Sequence, residues 1–293
     1  MPASDPKNLI ELLKSGTAEE DIKAEIKRLQ KEDPDALNFL DENNESALIW
    51  ASIYGMLGIV TALIKAGANL NIQDNHGDSA LICAAAHQNP DSVIALVKAG
   101  ANLNLRDKIN RNALMCGAID DNLDTINALI QAGAALNYQD KSGKSALTHA
   151  VFSGDMDIVV ALIKAGANPN TKDNSGSSPL IWASYHEQSK MVTQLINAGS
   201  HINMRDDEGN SALMWAARNK NSDIFNALID AGAQTETLKE DELHQNPEIK
   251  DFIQQQKQIQ FVKTQTILTK KTQNTIVCKK NTIIKLKRRP PSF

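Results

Sequence analysis

Residues Lys65–Asn71 read KAGANLN, and the same seven letters return at Lys98–Asn104, an offset of 33 residues. Variants follow at the same interval, with the glycine at 67, 100, 133, 166, 199 and 232. Aligning those glycines sorts the rest of the chain into columns. One column is Leu48, Leu81, Leu114, Leu147, Leu180 and Leu213, with a small residue three places on (Ala51, Ala84, Gly117, Ala150, Ala183, Ala216). A second leucine column, 63 to 228, is followed each time by Ile or Val. An aspartate column runs 41, 74, 107, 140, 173 and 206, with Gly or Asn three residues later.

Each column has a local physical meaning. Gly or Asn after the aspartate marks a turn that needs positive φ, a region those residues enter cheaply. Ser46, Ser79, Asn112, Ser145, Ser178 and Ser211 then stand where a helix needs an N-cap, and Pro179 suits a first helical position. A short helix of about two turns is expected there, with alanine where a neighbour must come close. A second helix carries apolar residues at i, i+3 and i+4 (Ile59-Val60, Leu63-Ile64). The Ala-Gly ending serves as its left-handed C-terminal cap, and Asn-Leu-Asn leads an extended arm to the next aspartate. One such unit cannot bury two helices alone; stacked units share an elongated core.

These columns resemble the ankyrin repeat. The period matches, and so does the Asp-x-x-Gly-x-[Thr/Ser]-[Pro/Ala]-Leu phrase in DNHGDSAL, DKSGKSAL and DNSGSSPL, with DEGNSAL in the last unit and Gly-Ala-x-x-Asn closing the units. The resemblance implies an all-α fold, an ankyrin-repeat solenoid of stacked helix-turn-helix units with projecting β-turn tips. The His that often follows Pro-Leu in the family is replaced by Ile49, Ile82, Met115, Thr148, Ile181 and Met214, which implies lost polar links between units and local loosening. Asn44 and Asn110 replace the turn glycine.

The expected organisation is an N-terminal helical cap over 1–32, six repeats over 33–236, a degenerate C-terminal cap over 237–258 and a basic, disordered tail over 259–293. In the first cap, Asp5-Pro6 is a start signal and Thr17 with Glu20 a capping box. A closing helix is expected over about 246–258, opened by Asn246-Pro247-Glu248. From Lys257 to Phe293 there are ten basic residues and no acid, which leaves residues 1–256 with 21 basic and 35 acidic side chains, a net charge of −14. The acidic body and basic tail are therefore read separately. In the tail, Lys285–Arg289 (KLKRR) offers an electrostatic contact to nucleic acid, anionic lipid or an import receptor.

Other function classes find little support. No apolar run reaches the ~18 residues a membrane helix needs, and the N-terminus does not read as a signal peptide. Cys83, Cys116 and Cys278 are too few and too odd in number for a disulfide scaffold. Cys83 and Cys116 share a column with Trp50, His149, Trp182 and Trp215, a position expected to be buried, with the two thiols packed and unlinked. No phosphate-binding loop, zinc-ligand spacing or catalytic set is present, so no enzyme activity, cofactor or metal is expected.

Recognition is expected where columns vary. At the tips these residues are Arg106, Lys108, Ile109, Arg111, Lys141, Ser142, Lys144 and Lys172, flanked by Glu42 and Glu45 in the first unit and Asp207 and Glu208 in the last. The row reads basic in its centre and acidic at both ends, and suits a partner of opposite pattern. The first helices end in the varying pairs Ile53-Tyr54, Ala86-His87, Ile119-Asp120, Phe152-Ser153, Tyr185-His186 and Arg218-Asn219. The resemblance places these pairs on a concave face. Tyr54, His87, Phe152, Tyr185, His186 and Arg218 are the candidates there, with the aromatic and Arg types as anchors. The expectation is a non-catalytic scaffold that binds another protein, in the cytoplasm or delivered into a host cell without a signal peptide. The Lys-, Asn- and Ile-rich wording resembles ankyrin proteins of intracellular bacteria, so an effector is one alternative. An adaptor docked to nucleic acid or anionic membrane by its tail, or carried to the nucleus by it, is another.

Overall fold

The computed structural model describes residues 8–235, 247, 250–259, 261, 262 and 265. Two rows of helices run through it. The first row holds α1 (Asn8–Lys14), α3 (Ala47–Ile53), α5 (Ala80–Ala86), α7 (Ala113–Ile119), α9 (Ala146–Ser153), α11 (Pro179–Tyr185) and α13 (Ala212–Arg218). The second holds α2 (Glu19–Glu32), α4 (Leu57–Ala66), α6 (Pro90–Lys98), α8 (Leu123–Gln131), α10 (Met156–Lys164), α12 (Ser189–Asn197) and α14 (Ser222–Asp230). Each helix packs on its equivalent one unit away and on its partner within the unit. The described residues hold no sheet, only the isolated bridges Leu40–Ser46, Gln73–Ser79 and Arg205–Ser211.

The sequence columns account for this arrangement. The leucines at 48, 81, 114, 147, 180 and 213 and those at 63, 96, 129, 162, 195 and 228 are buried in one continuous core. Ser46, Ser79, Asn112, Ser145, Ser178 and Ser211 each cap a first-row helix by accepting the N–H three residues on, at 3.0–3.4 Å. The residues in place of the family histidine are all buried. Apolar packing, with Thr148 bonded to Ser145, therefore fills that position.

Each tip is built by its aspartate. One carboxylate oxygen of Asp41, Asp74, Asp107, Asp140 and Asp173 accepts the N–H groups two and four residues on, at 2.7–3.0 Å. Successive tips are then joined main chain to main chain, from Asn75, Lys108, Lys141, Asn174 and Asp207 N–H to the preceding tip's carbonyls at 2.8–2.9 Å. On the arms, the side-chain oxygens of Asn38, Asn71, Asn104, Asn137, Asn170 and Asn203 each accept an N–H from the next unit, 31 residues on, at 2.6–3.0 Å. The last asparagine of KAGANLN is thus a link between units.

The ends differ in part from the sequence reading. Helix α2 starts at Glu19 with Ala18 at the cap and no side-chain cap bond. Thr17 instead pairs its hydroxyl with Ser15, which removes it from the capping role expected with Glu20. Asp33 leads into a 3₁₀ turn, Pro34–Asn38. Asp5-Pro6 and Asn246 lie outside the described residues, as do Cys278 and the KLKRR run. The closing helix covers 250–259 and packs on α14. Phe252 meets Phe225 edge-on at 5.6 Å, and Gln256 bonds Asn226 and Ser222. Residues 259, 261, 262 and 265 are also helical, beyond the expected boundary at 258, where neither Gly nor Pro stands in the sequence. The shared column of Trp50, Cys83, Cys116, His149, Trp182 and Trp215 is also a correction. The thiols are buried, unlinked and raised in pKa by burial, Cys116 to about 12, whereas His149 and the three tryptophans stay partly exposed. The larger tryptophan rings pack against the core on one side and leave the other side exposed.

Two predictions separate the roles of these columns. Gly143 (φ +79°) and Gly133 (φ +84°) both occupy the left-handed region. A Cβ on Gly143 would sit 2.6 Å from the Asn174 nitrogen of the next tip, whereas one on Gly133 meets nothing within 4 Å. In urea unfolding, Gly133→Ala is expected to cost about 1 kcal/mol and Gly143→Ala about 3 kcal/mol. Similar costs would contradict the packed tip row. Asn137→Ala should cost about 1 kcal/mol and speed hydrogen exchange at the Asn168 N–H, which it leaves to water.

Candidate functional interface

The expected interface residues fall into two neighbouring strips, the tips and the ends of the first-row helices. Along the tips, Arg106, Lys108, Ile109, Lys141 and Lys172 are exposed. Their charges are engaged unevenly. Arg111 donates its Nε to the buried Asp107 at 2.8 Å. Lys172 donates its ammonium to the Arg205 carbonyl of the next unit, and Arg106 lies 5.2 Å over the Tyr138 ring. Gln73 and Gln139, in the same column as Lys172, also reach the next unit's main chain. That column therefore links units as well as facing outward. Lys108 and Lys141 have no side-chain partner among the described residues.

On the second strip, Tyr54 is 59% exposed, Phe152 46% and Tyr185 44%. Tyr54 stacks on Trp50 at 4.8 Å. His87 is exposed and its Nδ1 lies 2.9 Å from the Cys83 carbonyl. Toward the last units the rings merge into one patch. Phe152 meets Trp182 and His186 edge-on, and Tyr185 meets both Trp182 and Trp215 at right angles. Lys144 joins the patch from its tip, 4.4 Å over Phe152 and 5.4 Å over Trp182; Arg218 lies 4.6 Å over Trp215. Burial and Lys144 both hold the His186 pKa below its ordinary value. Sequence reading placed Trp182 and Trp215 in a core column and so missed them. Their size beside two cysteines in one column was the available signal.

Beneath the patch the aspartates orient the rings. Trp182 Nε1 donates to Asp173 at 2.8 Å, and His149 Nε2 lies 2.9 Å from Asp140. Burial acts to raise the Asp140 pKa but is outweighed by bonds from Ser142, the Lys144 N–H and His149, so the carboxylate titrates low. Burial lowers the His149 pKa, and Lys144 and Arg111 add to this, despite Asp140. Among the described residues, no three His, Cys, Asp or Glu side chains converge as a metal site, and no helix is long and apolar enough to cross a membrane.

The histidine gives a pH prediction. Its folded pKa lies below the unfolded value near 6.5. Just below that pH the unfolded chain binds more protons, so stability falls as pH drops through about 6.5. Urea midpoints measured on either side of that value should fall less in His149→Gln than in the parent chain. An equal fall would assign the effect to other groups.

The comparisons with known proteins agree with this architecture. The profile described as Ankyrin repeats (3 copies) matches residues 9–107, 96–173 and 152–239. Among solved structures, the ankyrin repeat domain of Bcl-3, described as a unique member of the IkappaB protein family, is 26% identical. It aligns with a TM-score of 0.66 over 75% of this chain and 97% of its own. An ankyrin repeat domain from Acinetobacter baumannii AYE is also 26% identical, with a TM-score of 0.61 over 64% of this chain and 98% of its own. The search of curated proteins returned no match. With its 33-residue units, aspartate-built tips and family profile over most of its length, the chain belongs to the ankyrin-repeat family.

Proposed function

We propose that this chain is a non-catalytic protein-binding scaffold. Its contact surface joins the tips at Arg106, Lys108, Ile109, Arg111, Lys141, Lys144 and Lys172 to the helix ends at Tyr54, His87, Phe152, Tyr185, His186 and Arg218. In this reading 33–236 is the working array, 1–32 and 237–258 are its caps, and 259–293 is a separate basic attachment. The observation that carries it is the row of exposed aromatic rings. Tyr54, Phe152 and Tyr185 are 59%, 46% and 44% exposed, on a frame whose core does not need them. Aromatic and Arg side chains on a rigid surface are the usual anchors of protein interfaces. Ankyrin repeats serve widely as interaction modules, which is consistent with this use.

A second reading keeps the scaffold and docks it to nucleic acid or an anionic membrane through the tail. It is favoured by the ten basic and no acidic residues from Lys257 onward. Binding of the full chain to DNA and to anionic vesicles across a salt series tests it; a weak, salt-insensitive response rejects it.

The main reading is tested by affinity capture with the full chain, identification of the retained protein, and titration against it. Tyr54→Ala with Tyr185→Ala should weaken that binding at least about tenfold, roughly 1.4 kcal/mol, while the chain still unfolds in one cooperative transition. Unchanged affinity would remove these rings as anchors.

A further inference from the structure

A cavity of about 270 Å³ opens between the last two tips and helices α11 and α13. Three of its walls are the rings of Trp182, Tyr185 and Trp215, and its rim carries Asp206 and Glu208. We propose that this cavity receives one ammonium head, that of a lysine side chain, bare or N-methylated, presented by the bound protein. The inference rests on the reading of the chain as a protein-binding scaffold and names what one part of that surface selects.

The chemistry converges on a cation. Tyr185 stands perpendicular to both tryptophans, with ring centroids 5.8 Å from Trp182 and 4.7 Å from Trp215. All three rings line one small volume, and a cation within ~6 Å of a ring face is attracted by its quadrupole. The chain's own Lys144 and Arg218 lie over Trp182 and Trp215, and Arg218 also donates to the Asn210 side-chain oxygen at 3.1 Å; neither cation lines the cavity. The carboxylates are held in place by the tip. Asp206 accepts both the N–H and the side-chain amide of Asn210, and Glu208 accepts the same amide at 3.2 Å. The Ser175 hydroxyl at the cavity donates to Asp173 at 2.7 Å, so it is turned away from an anionic guest. The volume falls below the ~300–1,000 Å³ of ordinary small-molecule pockets and suits a single side chain.

The test titrates the full chain with N-acetyl-lysine amide, N-acetyl-trimethyllysine amide and neutral N-acetyl-norleucine amide, followed by tryptophan fluorescence and calorimetry. Both cations, or the methylated one alone, should saturate with Kd of about 10 mM, and the neutral probe should bind at least about tenfold more weakly. Binding of the cations should weaken as salt is raised. Trp215→Leu should abolish binding. Should that variant unfold, Tyr185→Leu replaces it, since that ring is substantially exposed. Equal binding of the neutral probe, or no saturation by either cation, overturns the proposal. So does cation binding that appears only when Lys285, Lys287, Arg288 and Arg289 are all changed to alanine, which would make the chain's own tail the occupant. Partner capture that still depends on Tyr54 while no probe binds would sink this inference alone and leave the scaffold standing.

Discussion

No single unit of this chain completes its own hydrogen bonds. The first N–H of each arm, from Asn69 to Gln234, is satisfied by an asparagine belonging to the unit before. At the tips the same dependence runs through main-chain bonds. Each such bond contributes ~0.5–1.5 kcal/mol net. A unit standing alone would leave such groups to water and expose both sides of its helix pair. Cooperation between neighbours is therefore built into the backbone as well as the leucine core. The ends meet the same requirement: α1 and α2 pack on α3 and α4, and residues 250–259 lie on α14.

This division of labour decides what is left for recognition. Side chains that repeat are turned inward or sideways: the leucines fill the core, the serines cap helices, the aspartates tie turns and the asparagines bridge units. Some residues that vary also work internally. Arg111 neutralises Asp107 and Lys172 bonds the next tip. Only the Arg111 charge is cancelled in this way; Lys172 bonds a neutral carbonyl and keeps its charge. What remains outward is Arg106, Lys108, Ile109, Lys141, Lys172 and a set of rings, so cations and aromatic faces share the surface.

Most of the fold was legible because its signals are local. A serine three residues before the N–H it caps, or an Asn at Asn44 and Asn110 where φ is positive, acts within one turn of chain. The amide links were not legible, because donor and acceptor are 31 residues apart and an asparagine in an extended arm has many possible uses. A third positive-φ column, beyond the tip turn and the helix-ending glycine, escaped notice. It runs through Gly55, Gln88, Asp121, Gly154, Glu187 and Lys220. Four of the six are not glycine, and at ~1–2 kcal/mol each the conformation is imposed by the packing of the two helices it joins. The Thr17–Glu20 motif failed for the opposite reason: a valid local signal lost to the Ser15–Thr17 contact beside it.

The candidate interface shows the same limit. Tyr54, Phe152 and Tyr185 could be named from variation alone, since exposure follows where the fold sets no requirement. Trp182 and Trp215 could not, because their column also holds two buried cysteines. A position that accepts Cys83 in one unit and Trp215 in another is one where the cavity between helix end and tip is not fixed by the repeat. In the middle units the small thiol lets the column close over. In the last units the larger ring packs on the core but stays partly exposed, and meets the tyrosine or the cation beside it. The repeat thus makes one uniform frame, and a single column, by the volume of its side chain, determines whether a unit presents a smooth face or an aromatic recess.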